Sequence, residues 1–318
     1  MIKLITSPFF CFILFCILQP SLNVQQEKVN VISCLAEEGN YIWIGTGNGL
    51  VRLEKTTGET LRYTNSNSKL PNNEITCIAI DSARIKWIGT SEGLARFDGT
   101  SWHVFTMSDS DIPNDYISTL TIDQKGYIWI CTSDGLIRYD GMQWSIYNKK
   151  NSKLPFVLFK NLVIDKNGTF WIGTYSDGLV KYDGKNSVTY MTKQYGMPGN
   201  DVKAIAIDGE GHKWIVTDGG GLVRYDDKKW IAYLPTSQYA AEINTIVVDG
   251  KRNVWIGMDG GGLGKFDRQK WTAYNTENSN IPQNVVTALL IDESGNIWVG
   301  TEDGLARFDG SKWTKFTF

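Results

Sequence analysis

The chain alternates short apolar runs with turns rich in glycine and aspartate. In one stretch, runs rich in β-branched and aromatic residues occupy Ile75–Ile80, Lys86–Thr90, Leu94–Phe97 and Trp102–Thr106. Runs of this length, separated by Asp-Gly and related turn sequences, are typical of antiparallel strands joined by hairpins. The pattern therefore predicts a unit of four short strands.

The same unit recurs along the chain. A Trp followed by Ile or Val lies near the start of each predicted second strand, at spacings of 41 to 44 residues, and a Gly-Leu pair precedes or opens each third strand. The seven motif tryptophans are Trp43, Trp87, Trp129, Trp171, Trp214, Trp255 and Trp298. The other five follow a motif by 15 or 16 residues, at Trp102, Trp144, Trp230, Trp271 and Trp313. The repeats predict an all-β fold: a seven-bladed β-propeller with four antiparallel strands per blade.

The repeats divide the chain into a leader and one domain, predicted to span residues 26–318. The repeats lie near residues 30–64, 73–106, 115–147, 157–190, 200–233, 241–274 and 284–318. A lone four-stranded sheet cannot cover both of its faces, so the large Trp side chains are expected between neighbouring blades. Ring closure is expected from packing of blade seven on blade one, with help from residues 24–29 as an option.

Residues 1–25 have the pattern of a signal peptide. Lys3 precedes an unbroken apolar run over residues 9–18, which is too short to span a bilayer and suits the core of a signal peptide. We expect its removal on export, which leaves a periplasmic or secreted chain without a membrane span. The alternative is a lipoprotein anchored through Cys16, although the bulky Phe15 precedes that residue.

Charge and cysteine content exclude several classes of protein. The chain has 32 Lys and Arg against 34 Asp and Glu, a net charge of −2, and no basic patch for nucleic acid. Beyond the leader, Cys34, Cys77 and Cys131 are an odd number of cysteines without metal-ligand spacing. We expect small buried thiols; a bridge between Cys34 and Cys77 in adjacent blades is the alternative.

The last repeat carries a full copy of the motif. It reads DESGNIWVGT at 292–301 and DGLARFD at 303–309, after the linker NIPQNVV at 280–286. This unit resembles the two-component regulator propeller repeat, and the resemblance covers residues 30–318. It implies an extracytoplasmic sensing or binding propeller, a type often linked to glycan detection. Sensors of this family continue into an output domain, whereas this sequence stops at Phe318, so we expect no kinase activity from it.

Several motifs that mimic reactive sites are expected to be turns. An aspartate precedes six of the motif tryptophans, at Asp81, Asp123, Asp165, Asp208, Asp249 and Asp292. Such an aspartate ordinarily binds its own turn backbone. The runs at 219–221 and 260–262 open no helix, so they are read as hairpins rather than phosphate loops. We expect no catalytic group, metal or cofactor. The alternative is a propeller lyase that depends on His103 or His212, which fall in different blades.

Departures from the repeat single out a candidate binding site. Five positions before the repeat aspartate, four blades have a small polar residue, at Thr76, Ser118, Asn244 and Thr287. Blades four and five have Lys160 and Lys203 there instead. Nearby linkers and turns add aromatic residues at Phe156, Tyr175, Tyr195 and Tyr239. Since first strands line a propeller channel, we predict an aromatic and cationic cluster at its mouth, suited to a sugar acid or another anionic ligand.

Three functional hypotheses follow. The first is non-enzymatic binding of a small ligand or glycan, sensed here and passed to a separate output protein. The second is a scaffold that binds an envelope protein, and the third is the lyase. For the two lysines themselves, the alternative is an ordinary solvated surface position without a ligand.

Overall fold

The seven predicted blades are present in a computed structural model, which describes residues 31–155, 158–192, 197–219, 221–233 and 242–318. These residues form seven four-stranded antiparallel sheets, and within every sheet the strands follow chain order. The structure confirms the propeller fold. The predicted leader, including Cys16, and residues 24–29 lie outside the described residues.

Each blade is a meander whose first strand is innermost, because first strands contact the first strands of both neighbouring blades. Blades one to four comprise β1 (Ile32–Glu38), β2 (Tyr41–Thr46), β3 (Gly49–Glu54), β4 (Thr60–Tyr63); β5 (Ile75–Ile80), β6 (Lys86–Thr90), β7 (Gly93–Phe97), β8 (Trp102–Phe105); β9 (Thr119–Ile122), β10 (Ile128–Thr132), β11 (Gly135–Tyr139), β12 (Trp144–Tyr147); and β13 (Phe159–Ile164), β14 (Phe170–Thr174), β15 (Leu179–Tyr182), β16 (Ser187–Tyr190). Blades five to seven comprise β17 (Val202–Ile207), β18 (Lys213–Thr217), β19 (Gly221–Tyr225), β20 (Trp230–Tyr233); β21 (Ile243–Val248), β22 (Val254–Met258), β23 (Gly262–Phe266), β24 (Trp271–Tyr274); and β25 (Val286–Ile291), β26 (Ile297–Thr301), β27 (Gly304–Phe308), β28 (Trp313–Phe316).

The hydrophobic core is divided among the seven blade interfaces. Each interface holds one cluster of buried side chains, and each cluster contains one motif tryptophan. Trp43, for example, packs with Ile75, Ile88 and Phe97 of the next blade. The expected position of the tryptophans between blades is therefore confirmed, and every blade depends on its neighbours for burial of its apolar surface.

The glycine of the Trp-Ile-Gly-Thr motif serves close packing rather than a turn. A Cβ atom on Gly89 would lie 2.7 Å from Ile117 Cγ2 of the next blade, and one on Gly300 would lie 2.7 Å from Ile32 Cγ2. Gly45, Gly173 and Gly257 meet the next blade in the same way. The sequence pattern predicts glycines in turns, and this motif position is the exception. Its small size sets how closely two blades approach.

The repeat aspartate ties each turn to its tryptophan. Asp81 Oδ1 accepts hydrogen bonds from the backbone N–H groups of Ala83 and Ile85, as expected for turn chemistry. Its Oδ2 accepts the indole N–H of Trp87 at 3.2 Å. The indole bond is present in all seven blades, with Glu38 in place of aspartate in blade one. One carboxylate thus fixes both the hairpin and the orientation of the interface tryptophan.

A β-bulge near the start of the inner strand turns one side chain towards the next blade. The register shifts at this position in six blades, including those of Thr76 and Thr287. Thr76 Oγ1 donates to the carbonyl of Ile117, and Thr287 Oγ1 donates to that of Ile32 at 2.6 Å. The second of these bonds joins blade seven to blade one. Closure by packing of these two blades is confirmed, since Trp298 and Ile32 also share one apolar cluster.

The three described cysteines are free thiols, so the bridge between Cys34 and Cys77 is not formed. Cys77 and Cys131 are buried, as expected, and Cys34 is partly buried. Burial raises the pKa of Cys77 to about 12 and raises the pKa of the other two thiols as well. These groups therefore stay protonated and behave as small apolar side chains.

Substitution Gly300→Ala should weaken closure of the ring. The new Cβ would meet Ile32 and Ala288 Cβ, the latter at 3.2 Å. Overpacking of this kind costs about 1–3 kcal/mol of unfolding free energy, measurable by urea denaturation. The control is Gly209→Ala, where a Cβ has open space. Equal losses in the two variants would contradict the packing role of the motif glycine.

Acid should remove a stabilising contribution from Asp208. Burial raises the pKa of Asp208, but hydrogen bonds from Trp214, the His212 backbone and Arg268 outweigh it and lower the pKa to about 2. A carboxyl with a depressed folded-state pKa stabilises above its unfolded value and loses this effect as pH falls through the folded value. In urea denaturation, Asp208→Asn should therefore be less stable than wild type at neutral pH. The difference should shrink between about pH 4 and about pH 2; a constant difference would contradict the assignment.

Candidate ligand site at the channel mouth

The linkers between blades and the turns between second and third strands share one end of the ring. The Gly49 N–H donates to the Asn73 carbonyl at 2.7 Å, and the Gly178 N–H donates to that of Asn200 at 2.8 Å. The Tyr175 N–H donates to the Leu158 carbonyl of its own linker. The inner strands begin at this end, so these segments surround the mouth of the channel. Their expected placement on one face is confirmed.

Seven residues precede the inner strands at this end of the ring, each two positions before the bulge residue of its blade or, in blade three, before the equivalent Ser118, where the register does not shift. They are Val31, Glu74, Tyr116, Leu158, Asp201, Glu242 and Val285. On blades three and four, Tyr116 is 43% exposed and Leu158 is 53% exposed. Tyr175, in the enlarged turn of blade four, is 44% exposed, and its backbone N–H donates to the Leu158 carbonyl. These three residues, which we call the mouth patch, present aromatic and apolar surface to solvent.

Lys160 and Lys203 both lie at this mouth, but each is paired with a carboxylate of the following blade. Lys160 Nζ is 2.7 Å from Asp201 Oδ1 and 4.8 Å from the ring centre of Tyr175. Lys203 forms an ion pair with Glu242 and lies 3.6 Å from Asp218 Oδ1. The bulge aims these lysines at the next blade, as it aims the threonine at the same position elsewhere. The ammonium groups therefore join blades four, five and six.

This pairing changes the electrostatics of the candidate site. The expectation of an anionic ligand depended on two ammonium groups without partners. Three carboxylates accompany the two lysines, so this part of the mouth has no excess of positive charge. What it offers is a set of hydrogen-bonding groups beside exposed tyrosines.

Three of the six residues in the predicted cluster belong to the described part of the chain. Lys160 lies against the ring of Tyr175, and Lys203 lies at the same bulge position of the next blade, whereas Phe156, Tyr195 and Tyr239 lie outside the described residues. Sequence reasoning missed Tyr116, Leu158, Asp201 and Glu242. Comparison of the repeats two positions before the bulge residue would have found them, because that column combines aromatic, aliphatic and acidic residues.

The two histidines lie away from this mouth. His103, on β8, is exposed and its ring packs 4.5 Å from that of Phe105. His212 lies in the turn between β17 and β18, at the opposite end of the ring, with Nδ1 3.2 Å from Asp208 Oδ2. The two histidines thus lie in different blades, as the sequence indicates.

Asp208, Glu210 and His212 bring possible metal-ligand atoms within 4.8 Å of one another. The Asp208 carboxylate already binds the Trp214 indole and Arg268, the latter at 3.1 Å. Glu210 pairs with Arg252 at 2.5 Å. Both arginines belong to blade six, so we interpret the group as an ion-pair network between blades five and six.

Two segments of the chain, 111–134 and 280–303, match the family model described as the two-component regulator propeller. Each segment runs from a linker through the motif tryptophan to the following turn. These are two-component regulator propeller repeats. The resemblance inferred from the motif is confirmed by these matches and by the seven-bladed fold. A search of curated protein sequences found no significant match.

Solved structures share the fold of this propeller at low sequence identity. PorZ, a surface component of the type-IX secretion system of Porphyromonas gingivalis, matches with a TM-score of 0.71 and 16% identity over 88% of this chain and 46% of PorZ. A protein described as the extracellular domain of hybrid two-component system BT3049 from B. thetaiotaomicron matches with a TM-score of 0.58 and 23% identity, over 90% of this chain and 46% of that one. Virginiamycin B lyase from Staphylococcus aureus matches with a TM-score of 0.69 and 15% identity, over 88% and 94%.

The chain spans about half the length of the first two of these proteins, 46% in each case. At such identities the likeness establishes the fold alone. Within the described part of the chain, no helix has the length and apolar character needed to cross a bilayer.

Proposed function

We propose that this propeller is a non-enzymatic, exported recognition module that binds a hydroxyl-rich ligand such as a glycan at the channel mouth. The observation that carries the proposal is the mouth patch of Tyr116, Leu158 and Tyr175 beside the paired charges of blades four to six. Extracellular and surface proteins with this fold support an exported location. Transfer of the signal to a separate output protein remains part of the proposal.

The chemistry of the mouth favours a neutral polyhydroxylated ligand over a strongly anionic one. The exposed tyrosine rings offer flat apolar surface on which a sugar ring can pack. Asp201 and Glu242 can accept hydrogen bonds from hydroxyl groups, and Lys160 and Lys203 can donate them. Since each lysine is already neutralised by a carboxylate, a ligand carboxylate would have to displace an existing ion pair.

A protein partner is a second candidate function. Leu158 is an exposed aliphatic residue whose carbonyl accepts the Tyr175 N–H, and exposed apolar surface of this kind also suits a protein contact. A flat apolar patch over residues 156–159 would favour such a partner. Of these, Phe159 is buried, Leu158 is exposed, and residues 156 and 157 lie outside the described part of the chain.

Binding should depend on Tyr175 while stability should not. A thermal-shift screen of residues 26–318 against neutral and acidic oligosaccharides should give a rise in melting temperature with a neutral member. At about 100 times the dissociation constant, a ligand stabilises by about 2.7 kcal/mol. Tyr175→Ala should reduce affinity by about tenfold or more, because the ring supplies the stacking surface. Met142→Ala, at an exposed residue of the opposite end, is the control and should bind normally.

The lysines separate a binding role from a structural one. The double variant Lys160→Thr and Lys203→Thr installs the residue type found at this bulge in blades two and seven. Loss of ligand affinity with an unchanged melting temperature assigns the lysines to the ligand. A lower melting temperature with unchanged affinity assigns them to blade cohesion. If no oligosaccharide of the panel raises the melting temperature and a protein binds through Leu158, the scaffold function replaces the glycan proposal.

A further inference from the structure

An open cleft separates blades two and three at the end of the ring opposite the mouth. It has a volume of about 400 Å³, within the range of pockets for small ligands. Trp87, Phe105, Ile128 and Tyr139 form its apolar wall. The polar lining comes from Asp81, Arg96, His103 and Asp140.

In the interface between blades one and two, a lysine side chain occupies the space that corresponds to this cleft. There the side chain of Lys86 is buried, and its Nζ lies 3.1 Å from Glu38 Oε1 and 2.7 Å from the Arg84 carbonyl. The ammonium also lies 5.2 Å from the ring centre of Trp43 and 5.4 Å from that of Phe97. A carboxylate, a carbonyl and two aromatic rings thus form an ammonium site.

A second interface also places an ammonium on its tryptophan, with a carboxylate from the same blade as the lysine. Lys213, between blades four and five, is also buried, with Nζ 4.4 Å from the ring centre of Trp171 and 2.5 Å from Asp227 Oδ2. Asp227 takes a φ of 68°, a conformation that favours glycine, at a turn position where blades two, three, four and seven have glycine. An ammonium on the interface tryptophan is therefore a recurrent feature of this propeller.

The interface between blades two and three has the carboxylate and the two aromatic rings that surround the Lys86 ammonium, but Ile128 stands in place of the lysine. The strand register makes Ile128, Lys86 and Lys213 equivalent, since each opposes an aromatic residue of its third strand. Asp81 takes the place of Glu38, Trp87 that of Trp43, and Tyr139 that of Phe97.

The Asp81 carboxylate faces this cleft with acceptor capacity to spare. Its Oδ2 receives the Trp87 indole N–H at 3.2 Å, and within the described chain no Lys or Arg side chain forms an ion pair with it. Asp140 adds a second carboxylate to the lining. Arg96 also lines the cleft, and its charge lies near Asp98.

We propose that the cleft between blades two and three is a second binding site, which takes a small ligand with a primary ammonium group on an apolar stem. The ammonium lies where Lys86 Nζ lies in the preceding interface, between the Asp81 carboxylate and the rings of Trp87 and Tyr139. The stem packs along Ile128. This site is independent of the channel mouth and of the function proposed there.

The test uses n-butylammonium, which reproduces the four-carbon stem and charge of a lysine side chain. The readout is the indole N–H resonance of Trp87 in the full chain, assigned by Trp87→Phe, because that N–H binds the carboxylate that would receive the ammonium. We expect a saturable shift of this resonance and a much smaller one for Trp298. The neutral n-butanol and the anionic butyrate should each bind at least about tenfold more weakly than n-butylammonium.

Ile128→Lys supplies the ammonium from the chain itself. This variant should fold, as the equivalent Lys86 does in its interface, and should reduce the response to n-butylammonium by about tenfold or more. The matched control is Ile297→Lys, at the same position between blades six and seven, which should leave the Trp87 response intact. The proposal is overturned if Trp87 shows no saturable shift in the wild type, if n-butanol is equally effective, or if folded Ile128→Lys responds like the wild type. If Ile128→Lys fails to fold, the titration of the wild type with n-butylammonium, n-butanol and butyrate still decides the outcome.

Discussion

Every blade of this propeller has two faces that only its neighbours can cover. This constraint accounts for the placement of the core in seven interfaces, each built on one tryptophan. It also accounts for the carboxylate that holds each indole, since a large ring with one N–H donor must be both packed and hydrogen-bonded when buried. Blade seven meets blade one by the same contacts, and each sheet of the described residues consists of four consecutive strands.

Although the seven blade interfaces share one architecture, substitutions at single repeat positions change which side chains fill each interface. The position before the motif tryptophan is a buried lysine in Lys86 and Lys213, an aromatic ring in Phe170 and an aliphatic residue in Ile128. Where the side chain is long, it fills the space over the neighbouring tryptophan. At Ile128, where the side chain is short and aliphatic, the same space is a cleft with its carboxylate still present.

At the channel mouth, the bulge position likewise joins neighbouring blades through different side chains. A threonine there binds the carbonyl of the next blade, and a lysine there binds its carboxylate. The lysines of blades four and five are therefore structural ties as well as candidate ligand contacts. Their partners belong to a different blade, which is why a single repeat read alone suggests free positive charge.

The sequence by itself determined the fold, the number of blades and nearly all strand positions, because each repeat carries its own strand and turn signals within about 42 residues. It also determined that the repeat aspartates and glycine runs are turns. Only the tertiary structure decided the pairing of Lys160 with Asp201, the role of the motif glycine, and the cleft beside Trp87. These features depend on contacts between residues some forty positions apart in adjacent blades, and local sequence patterns do not encode which side chains meet there.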